Sequence, residues 1–312
     1  MFKNNLSLII PLFNEAENLP LLHSEIKMLY GQFSSCEVIY IDDGSTDNGL
    51  VTLKNLRNED ANIKIISFRR NYGQTAAIGA GVKSASGDVI VALDADLQND
   101  PADIPKLLIK INEGYDVVSG WRKNRRDKYL RVFFSKMANR IIAWATKVRI
   151  NDYGCTLKAY RSEIIKKIDF YGEVHRFIPA YTSWYGAKIT EVVVNHRPRV
   201  HGQSKANFSR IFKVIMDLLV AKFLIGYSAK PIYFFGFMGA LSFLAGILAF
   251  TAAIILRFFG ISLIQTPLLL LTVMTFVLGI QFISIGLMAD LILRSFYHKN
   301  HETYSIKEKI GF

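Results

Sequence analysis

The chain contains 312 residues, of which 51% are hydrophobic, and it carries a formal net charge of +12. The hydrophobic content is at the top of the globular range, and two cysteines are too few for the disulfide framework of a small secreted protein. The positive charge indicates an anionic partner, such as nucleic acid, a phosphorylated substrate or an anionic lipid surface, or simply a solvated face.

Predicted strands and helices alternate through the first part of the chain. The strands are predicted at residues 6–11, 37–41, 63–67, 88–93 and 117–119. The helices are predicted at residues 15–30, 47–58, 74–84 and 100–112. This alternation predicts an α/β fold, with a mainly parallel sheet and helices on both of its faces. In such sheets, ligands bind beyond the carboxyl ends of the strands.

Pairs of aspartates follow the second and the fourth predicted strands. Asp42 and Asp43 end the second strand, and Asp94 and Asp96 follow the fourth. Because residues i and i+2 of an extended segment face the same side, the carboxylates of Asp94 and Asp96 can bind one hard divalent ion. Such an ion neutralises a diphosphate leaving group as its bond breaks. Helix-capping acids and an ordinary turn are the alternative interpretations of these two pairs.

A basic stretch follows the fifth predicted strand, since residues 122–149 contain ten Lys or Arg side chains and one acidic side chain. Apolar residues at three- and four-residue steps predict an amphipathic helix at about 128–148 and a second one at 207–230. A basic helix with an aromatic apolar face is typical of a membrane interface, although both helices could instead pack on the globular domain. Aromatic side chains on the apolar face argue against a nucleic-acid partner.

Two long runs without charge follow, separated by Arg257. Each run exceeds the roughly 20 apolar residues that cross a bilayer, which predicts transmembrane helices at 232–256 and 267–290, with two buried core helices as the alternative. Lysine and arginine flank the pair on its outer sides, so both termini and the globular domain are predicted to be cytoplasmic. The predicted domains are 1–206 (globular), 207–230 (juxtamembrane helix), 231–291 (transmembrane pair) and 292–312 (cytoplasmic tail).

An ordered set of short motifs resembles a known family. The segments 11–15, 42–45, 71–74 and 94–101 resemble the GT-A glycosyltransferases of family 2. The segments 152–161, 175–177 and 199–205, followed by two spans, resemble the polyprenyl-phosphate glycosyltransferases, above all the bactoprenol (undecaprenyl-phosphate) glucosyltransferase type. Dolichol-phosphate mannose synthases and the undecaprenyl-phosphate aminoarabinose transferase are related. The chain has too few spans for a processive polysaccharide synthase of the same superfamily.

The resemblance implies an enzyme with a GT-A fold, a divalent cofactor (Mg²⁺ or Mn²⁺) and a place in the bacterial cytoplasmic membrane. The reaction implied is transfer of a hexose, with inversion, from a nucleotide-sugar to polyprenyl phosphate. Glucose from UDP-glucose is the first expectation. GDP-mannose, UDP-N-acetylglucosamine and UDP-aminoarabinose are alternative donors, and a non-catalytic nucleotide-binding assembly protein is an alternative function. A homo-oligomer such as a tetramer is expected.

The resemblance also implies roles for individual residues. The donor nucleoside would be held by Pro11, Asn14, Glu15 and Asp43. Asp94 would contact the ribose or sugar of the donor, and Asp96 and Gln98 would bind the metal. The residues near the diphosphate would be Arg199, Ser204 and Lys205. The residues near the acceptor phosphate would be Arg122, Arg131 and Ser135.

Overall fold

The computed structural model describes residues 2–123, 143, 148–170, 175, 177–198, 231–262, 266–296 and 304–312. The chain divides into two compact units, one formed by Met1–Lys222 with Glu302–Phe312 and the other by Phe223–His301. The amphipathic helices predicted at 128–148 and 207–230 lie almost entirely outside the described residues and stay predictions.

The first unit is built on one sheet, in which eight strands are described in the order β7-β5-β6-β4-β1-β2-β3-β8. The strands are β1 (Phe2–Leu12), β2 (Phe33–Asp42), β3 (Ile63–Phe68), β4 (Val89–Ala92), β5 (Val117–Trp121), β6 (Lys158–Arg161), β7 (Ile189–Val193) and β8 (Ile306–Ile310). The pairs β1–β2, β1–β4, β2–β3 and β5–β7 are parallel. Strand β6 runs antiparallel to β4 and β5, and β8 runs antiparallel to β3. The predicted α/β fold with a mainly parallel sheet is confirmed.

Of the six helices described in this unit, the first four match the predicted alternation and the last two were not predicted. The six helices are α1 (Leu19–Lys27), α2 (Gly49–Glu59), α3 (Gln74–Ser84), α4 (Ile104–Asn112), α5 (Ser162–Ile165) and α6 (Ile178–Trp184). Short 3₁₀ turns at Tyr30–Gln32 and Pro101–Asp103 precede β2 and α4. The Asp100 carboxylate caps the second of these turns, since it accepts a hydrogen bond of 3.0 Å from the amide of Ala102.

The packing of the core explains why the sequences of β1 and β2 contain continuous apolar runs. Leu8, Ile9 and Ile10 of β1 are all fully buried, because parallel strands in the middle of such a sheet are covered on both faces. Helix α4 contributes Ile104, Leu107, Leu108 and Ile111, whose spacing places them on one helical face. The central strands are therefore fixed by packing, and the loops at their carboxyl ends start from a rigid frame.

The first helix is shorter than the predicted segment 15–30, because it begins at Leu19 and ends at Lys27. The residues before it use their amide groups outside the helix. The amide of Ala16 donates to the Asp47 carboxylate at 3.0 Å, and the amide of Asn18 donates to the Glu15 carbonyl at 3.0 Å. These bonds hold residues 14–18 as a loop against the segment that follows β2.

Strand β8 lies in the segment predicted as a cytoplasmic tail, residues 292–312. It pairs with the outer edge of β3, with Glu308 opposite Ser67. The Glu308 carboxylate also forms an ion pair of 2.7 Å with Lys54 of α2. The ring of Tyr304 stacks on that of Phe68 at 5.1 Å between centroids. The segment is therefore part of the sheet, a pairing that its short charged sequence did not indicate.

The second unit contains two long apolar helices, α7 (Pro231–Phe258) and α8 (Leu268–Phe296). Their apolar parts, Pro231–Phe258 and Leu268–Ala289, are long enough to cross a membrane and each reach a mean hydropathy of 2.3. Glycines allow close approach of the two helices. A Cβ atom added at Gly239 would lie 3.0 Å from the carbonyl oxygen of Gly279, and one added at Gly246 would lie 2.7 Å from the Thr275 hydroxyl.

Candidate active site

The loops that carry the predicted site residues meet at one edge of the sheet. Leu12 of β1 pairs with Asp42 of β2, and Ile9 of β1 pairs with Ala92 of β4, all in parallel register. The segments that follow these strands therefore leave the sheet on the same side. This edge is where ligands bind in sheets of this type.

Asn14 ties the loop after β1 to the loop after β2. Its amide donates to the Ser45 hydroxyl at 3.0 Å, and its side-chain oxygen accepts from the Thr46 amide at 2.8 Å. The backbone of Asn14 has a φ of 58°, in the left-handed region that asparagine tolerates better than most residues. Glu15, beside it, accepts a hydrogen bond of 2.5 Å from the Asn18 side chain.

Asp42 and Asp43 connect the β2 loop to its neighbours. The Asp42 carboxylate accepts from the Ser45 amide at 2.9 Å and from the Ser67 hydroxyl at 3.0 Å. Asp43 accepts from the backbone amides of Tyr72 and Gly73, at 2.7 and 2.9 Å. Burial raises the pKa of the Asp43 carboxyl, and the two amide donors oppose that rise.

Gly44 shows how closely the β2 loop approaches the segment after β3. Its φ is +71°, and a Cβ atom at this position would lie 2.4 Å from the carbonyl carbon of Arg70. Only glycine fits there, because any other residue would both clash with this backbone and be strained.

Asp94 follows β4 and is held by two side chains. The Gln74 amide donates to its Oδ1 atom at 2.8 Å, and the Thr156 hydroxyl donates to its Oδ2 atom at 2.6 Å. Burial, followed by repulsion from Asp96, raises the pKa of Asp94 to about 6, while the Thr156 hydrogen bond and the nearby charges of Arg122 and Lys158 oppose the rise.

Asp96 is buried, and its Oδ1 atom accepts from the Gln98 amide at 3.1 Å. Between them, Leu97 adopts a φ of 61° while its side chain is buried in the core. A leucine in the left-handed region is strained, and such strain persists where the surrounding structure fixes the backbone, often at functional sites. The Asp94–Gln98 loop is thus held in an unusual conformation by packing.

A divalent cation fits these groups. Within the described residues, no cluster of three or more His, Cys, Asp or Glu side chains is arranged to hold a metal. The loop instead offers the repelling carboxylates of Asp94 and Asp96, together with the half-buried amide side chain of Gln98. This oxygen-rich but incomplete set suits Mg²⁺ or Mn²⁺, because Mg²⁺ binds through one or two carboxylates and fills its shell with water and phosphate oxygens.

Arg122, directly after β5, is paired with Asp152. Its Nε and Nη2 atoms donate to the two oxygens of that carboxylate at 2.7 and 3.0 Å. Lys158 of β6 is also buried, with its ammonium group 3.1 Å from the Tyr153 carbonyl, and burial lowers its pKa. These cations lie close enough to Asp94 to oppose the rise of its pKa, and they form the positive side of the site.

The segment after β7 returns to the Asp94–Gln98 loop. The Arg197 amide donates to the Gln98 carbonyl at 2.9 Å, and its guanidinium contacts the carboxylates of Asp100 at 2.8 Å and Glu25 at 2.9 Å. The chain therefore reaches the candidate metal loop just before residues 199–205. Arg199, Ser204 and Lys205 themselves lie outside the described residues, as do Arg131 and Ser135.

Comparison with known proteins identifies the family. Residues 7–169 match the family described as "Glycosyl transferase family 2". The chain belongs to glycosyl transferase family 2. The membership predicted from the motifs is confirmed.

Two family 2 relatives align with nearly the whole chain. The dodecaprenyl-phosphate galacturonate synthase of Rhizobium johnstonii is 40% identical over 299 residues, covering 94% of this chain and 88% of the relative. The undecaprenyl-phosphate 4-deoxy-4-formamido-L-arabinose transferase of Proteus mirabilis is 36% identical over 313 residues, covering 99% of this chain and 94% of the relative. Neither relative is named for glucose, so the predicted glucosyl specificity is not confirmed and the alternative of another donor sugar fits better.

Solved structures show a similar fold. Glucosyl-3-phosphoglycerate synthase from Mycobacterium tuberculosis, in complex with Mn²⁺, UDP-glucose and phosphoglyceric acid, matches with a TM-score of 0.57 and 17% identity. The match covers 70% of this chain and 80% of that chain. At this identity the likeness establishes the fold only.

The family 2 site brings together most of the predicted donor residues that the structure describes. Pro11 lies near the end of β1, Asn14 and Asp43 lie on the joined loops after β1 and β2, and Asp94 and Asp96 lie on the β4 loop. Their roles, and those of Glu15 and Gln98, stay predictions. The guanidinium group of Arg122 is not fully available to bind an acceptor phosphate, because two of its three nitrogens donate hydrogen bonds to Asp152.

Sequence reasoning assigned no role to the partners of Asp94. Gln74 and Thr156 lie within motifs that carried the family resemblance, and their place in those motifs was the signal that could have indicated a role for them. Their contacts with Asp94 span 20 and 62 residues of sequence, so spacing alone could not reveal them.

Proposed function

We propose that this family 2 enzyme transfers a sugar from a nucleotide-sugar to a polyprenyl phosphate in the bacterial cytoplasmic membrane. The observation that carries the proposal is the near-complete alignment with two polyprenyl-phosphate sugar transferases, 94% and 99% of the chain. The longer alignment includes α7 and α8, which transfer to a water-soluble acceptor would not require.

The donor side is formed by the β1, β2 and β4 loops. Pro11, Asn14, Glu15 and Asp43 hold the nucleoside, Asp94 contacts the ribose or sugar, and Asp96 with Gln98 holds a divalent cation. When bound, the cation supplies positive charge to the departing nucleoside diphosphate. Arg199 and Lys205 add positive charge there and Ser204 adds a hydroxyl donor, and the hydrogen bond from the Arg197 amide to the Gln98 carbonyl supports this placement.

The acceptor needs no general base on the protein. A phosphate monoester has a second pKa near 6 and is largely a dianion at neutral pH, so it is already a nucleophile. It attacks the anomeric carbon in line with the leaving group, and the configuration inverts without a covalent enzyme intermediate. Arg131 and Ser135 bind the acceptor phosphate, and arginine suits this task because of its forked donors. Arg122 assists through the charge it places beside Asp94.

The sugar is a modified one rather than glucose. The named sugars of the two relatives are a galacturonate and a formamido-arabinose. Both carry a polar substituent that glucose lacks, a carboxylate in one case and a formamide in the other. UDP-glucose, the first expectation from the sequence, is therefore a comparison donor here.

In this proposal, both ends of the α7–α8 pair lie on the cytoplasmic side of the membrane. Two membrane crossings return the chain to the side from which it started, and basic residues flanking such a pair favour the cytoplasmic side. The active site thereby receives the soluble donor from the cytosol and the lipid acceptor from the bilayer. A homo-oligomer such as a tetramer remains part of the proposal.

A donor screen tests the function. The full-length protein in lipid nanodiscs is supplied with undecaprenyl phosphate, MnCl₂ and one donor at a time: UDP-galacturonate, UDP-4-deoxy-4-formamido-L-arabinose, UDP-glucose or GDP-mannose. We expect a lipid-linked sugar with one of the first two donors, its loss with EDTA, and no product with undecaprenol, which lacks the phosphate. Absence of a lipid-linked product with every donor would overturn the proposal.

A further inference from the structure

The carboxylate of Asp94 is held from two sides by neutral side chains of distant segments. Gln74, the first residue of α3, donates its amide to Oδ1 at 2.8 Å. Thr156, two residues before β6, donates its hydroxyl to Oδ2 at 2.6 Å. Each carboxylate oxygen thus has its own donor, so rotation of the carboxylate group is restricted.

This support matters because the position of Asp94 is electrostatically unfavourable. Asp96 lies two residues away on the same short loop and is buried, and like charges held this close repel each other. Two hydrogen bonds to an ionised carboxylate offset such costs and are stronger than bonds between neutral groups. Without them, the carboxylate could turn away from Asp96.

The segment that contains Gln74 also supports the other acidic loop. The amides of Tyr72 and Gly73 bind the Asp43 carboxylate, and Gln74 next to them binds Asp94. Three consecutive residues therefore connect the predicted nucleoside loop with the predicted sugar and metal loop. This connection fixes the distance between the loop predicted to bind the nucleoside and the loop predicted to bind the sugar and the metal.

We infer that Gln74 and Thr156 are positioning residues, which orient the Asp94 carboxylate toward the nucleotide-sugar and its divalent cation. The inference rests on the proposed function for the assignment of Asp94 to the donor. It adds two side chains that touch neither reacting atom and act through Asp94.

Substitutions of nearly equal shape isolate the two hydrogen bonds. Gln74→Glu replaces the amide donor by a second carboxylate, and Thr156→Val removes the hydroxyl while keeping the side-chain volume. Thr156→Ser keeps the hydroxyl and should restore function. Thr182→Val is the matched control, because the Thr182 hydroxyl donates to the Pro179 carbonyl in α6 and contacts no carboxylate of the site in the described structure.

Binding of UDP or GDP in the presence of MnCl₂, without acceptor, is measured by calorimetry on the full-length protein in nanodiscs. We expect Gln74→Glu and Thr156→Val to weaken this binding about 10–100-fold, the range seen when partners of metal ligands are removed. We expect Thr156→Ser and Thr182→Val to bind like the wild type. In transfer assays the donor KM should rise in the first two variants while the KM for undecaprenyl phosphate stays constant.

A double-mutant cycle separates positioning from a general loss of structure. In an Asp94→Asn background, Thr156→Val should cause almost no further loss of binding, because the carboxylate that it orients is already gone. Equal losses in both backgrounds, or wild-type binding by Gln74→Glu and Thr156→Val, would overturn the inference. Variants that respond as expected in a protein that transfers no sugar to lipid would overturn the proposed function alone. A wild type that binds neither nucleotide would overturn both.

Discussion

The loops after β2 and β4 each carry two aspartates, but the two pairs are bonded differently. Asp42 and Asp43 accept three backbone amides and one serine hydroxyl, so they join the loops into one scaffold. Among the described residues, Asp94 accepts from two side chains and Asp96 from the amide of Gln98, and burial, followed by repulsion from Asp96, raises the pKa of Asp94. The same residue type at the ends of the two strands that flank β1 therefore ties loops together in one case and brings two repelling carboxylates together in the other.

The difference shows how a carboxylate pair becomes suited to a cation. A carboxylate that accepts two backbone amides, as Asp43 does, gains less from a metal, because its charge is already satisfied locally. Two adjacent carboxylates that repel each other gain a great deal, because one divalent ion removes the repulsion and supplies ligands for a diphosphate. The comparison predicts that substitutions in the β4 loop impair catalysis and that substitutions in the β2 loop impair stability.

The largest effect is expected for Asp96→Ala. We expect the rate of sugar transfer to fall by about 10²–10³, the usual cost of removing one preorganised electrostatic stabiliser of the transition state. The melting temperature should fall less than in Asp43→Ala, since the Gln98 amide alone loses a described acceptor and repulsion from Asp94 is removed. Asp88→Ala, an exposed aspartate at the start of β4, is the control and should retain full activity. Transfer by Asp96→Ala at the wild-type rate would remove the metal site from the β4 loop.

Asp43→Ala should have a mixed effect. It leaves the amides of Tyr72 and Gly73 without their charged acceptor, and hydrogen bonds to charged groups contribute about 1.5–3 kcal/mol each to stability. We expect a lower melting temperature together with a higher donor KM, because the nucleoside loop loses its contact with residues 72–73. An unchanged donor KM in a destabilised protein would make Asp43 purely structural.

The substitution Asp42→Ala is a further test of the difference between the loops after β2 and β4. Its carboxylate binds only Ser45 and Ser67 in the described structure, both within the scaffold. We expect a lower melting temperature, with kcat and both KM values of the folded protein within a factor of two or so of the wild type. A selective rise in donor KM would place Asp42 in the nucleotide site and break the distinction between the loops.

The smallest effect concerns another buried carboxylate, Asp60, which contacts the His23 ring as well as the amide of Asn62. Burial lowers the pKa of His23, although Asp60, 3.1 Å from its Nε2 atom, opposes the shift. The folded protein thus binds this proton less readily than the unfolded chain, so the contribution to stability is complete above pH of about 6.5 and is lost as pH falls toward the lowered value. We expect the melting temperature to fall between pH 7 and pH 5, and less steeply in His23→Gln. An equal dependence of the melting temperature on pH in the wild type and in His23→Gln would contradict the role of His23.

The sequence was most informative where a feature depends on nearby residues. Helix α3 begins and ends where predicted, at Gln74 and Ser84, and the β4 strand places Asp94 and Asp96 at the sheet edge as expected. The early start predicted for α1 was wrong because the amide of Ala16 bonds to Asp47, far along the chain. Strands β6, β7 and β8 were not predicted, since their pairings join segments that are distant in sequence.

The same distinction between local and distant contacts applies to the candidate active site. Which residues are acidic, and which strand each one follows, could be predicted from the pattern. The partners that decide whether a carboxylate is satisfied by backbone or by side chains could not, because Thr156 and Asp94 meet only after the antiparallel β6 has folded onto β4. The pairing of Arg122 with Asp152 was hidden for the same reason.

The position of β8 sets an order of events during synthesis. Its partner β3 leaves the ribosome early, whereas β8 follows both apolar helices, so at about 5–20 residues per second the outer edge of β3 stays open for on the order of 10–50 s. An open strand edge can pair with the wrong partner. The sheet is therefore complete only after α7 and α8 have been translated. A nascent chain that stalls during membrane insertion would expose the unpaired edge of β3 to the cytosol.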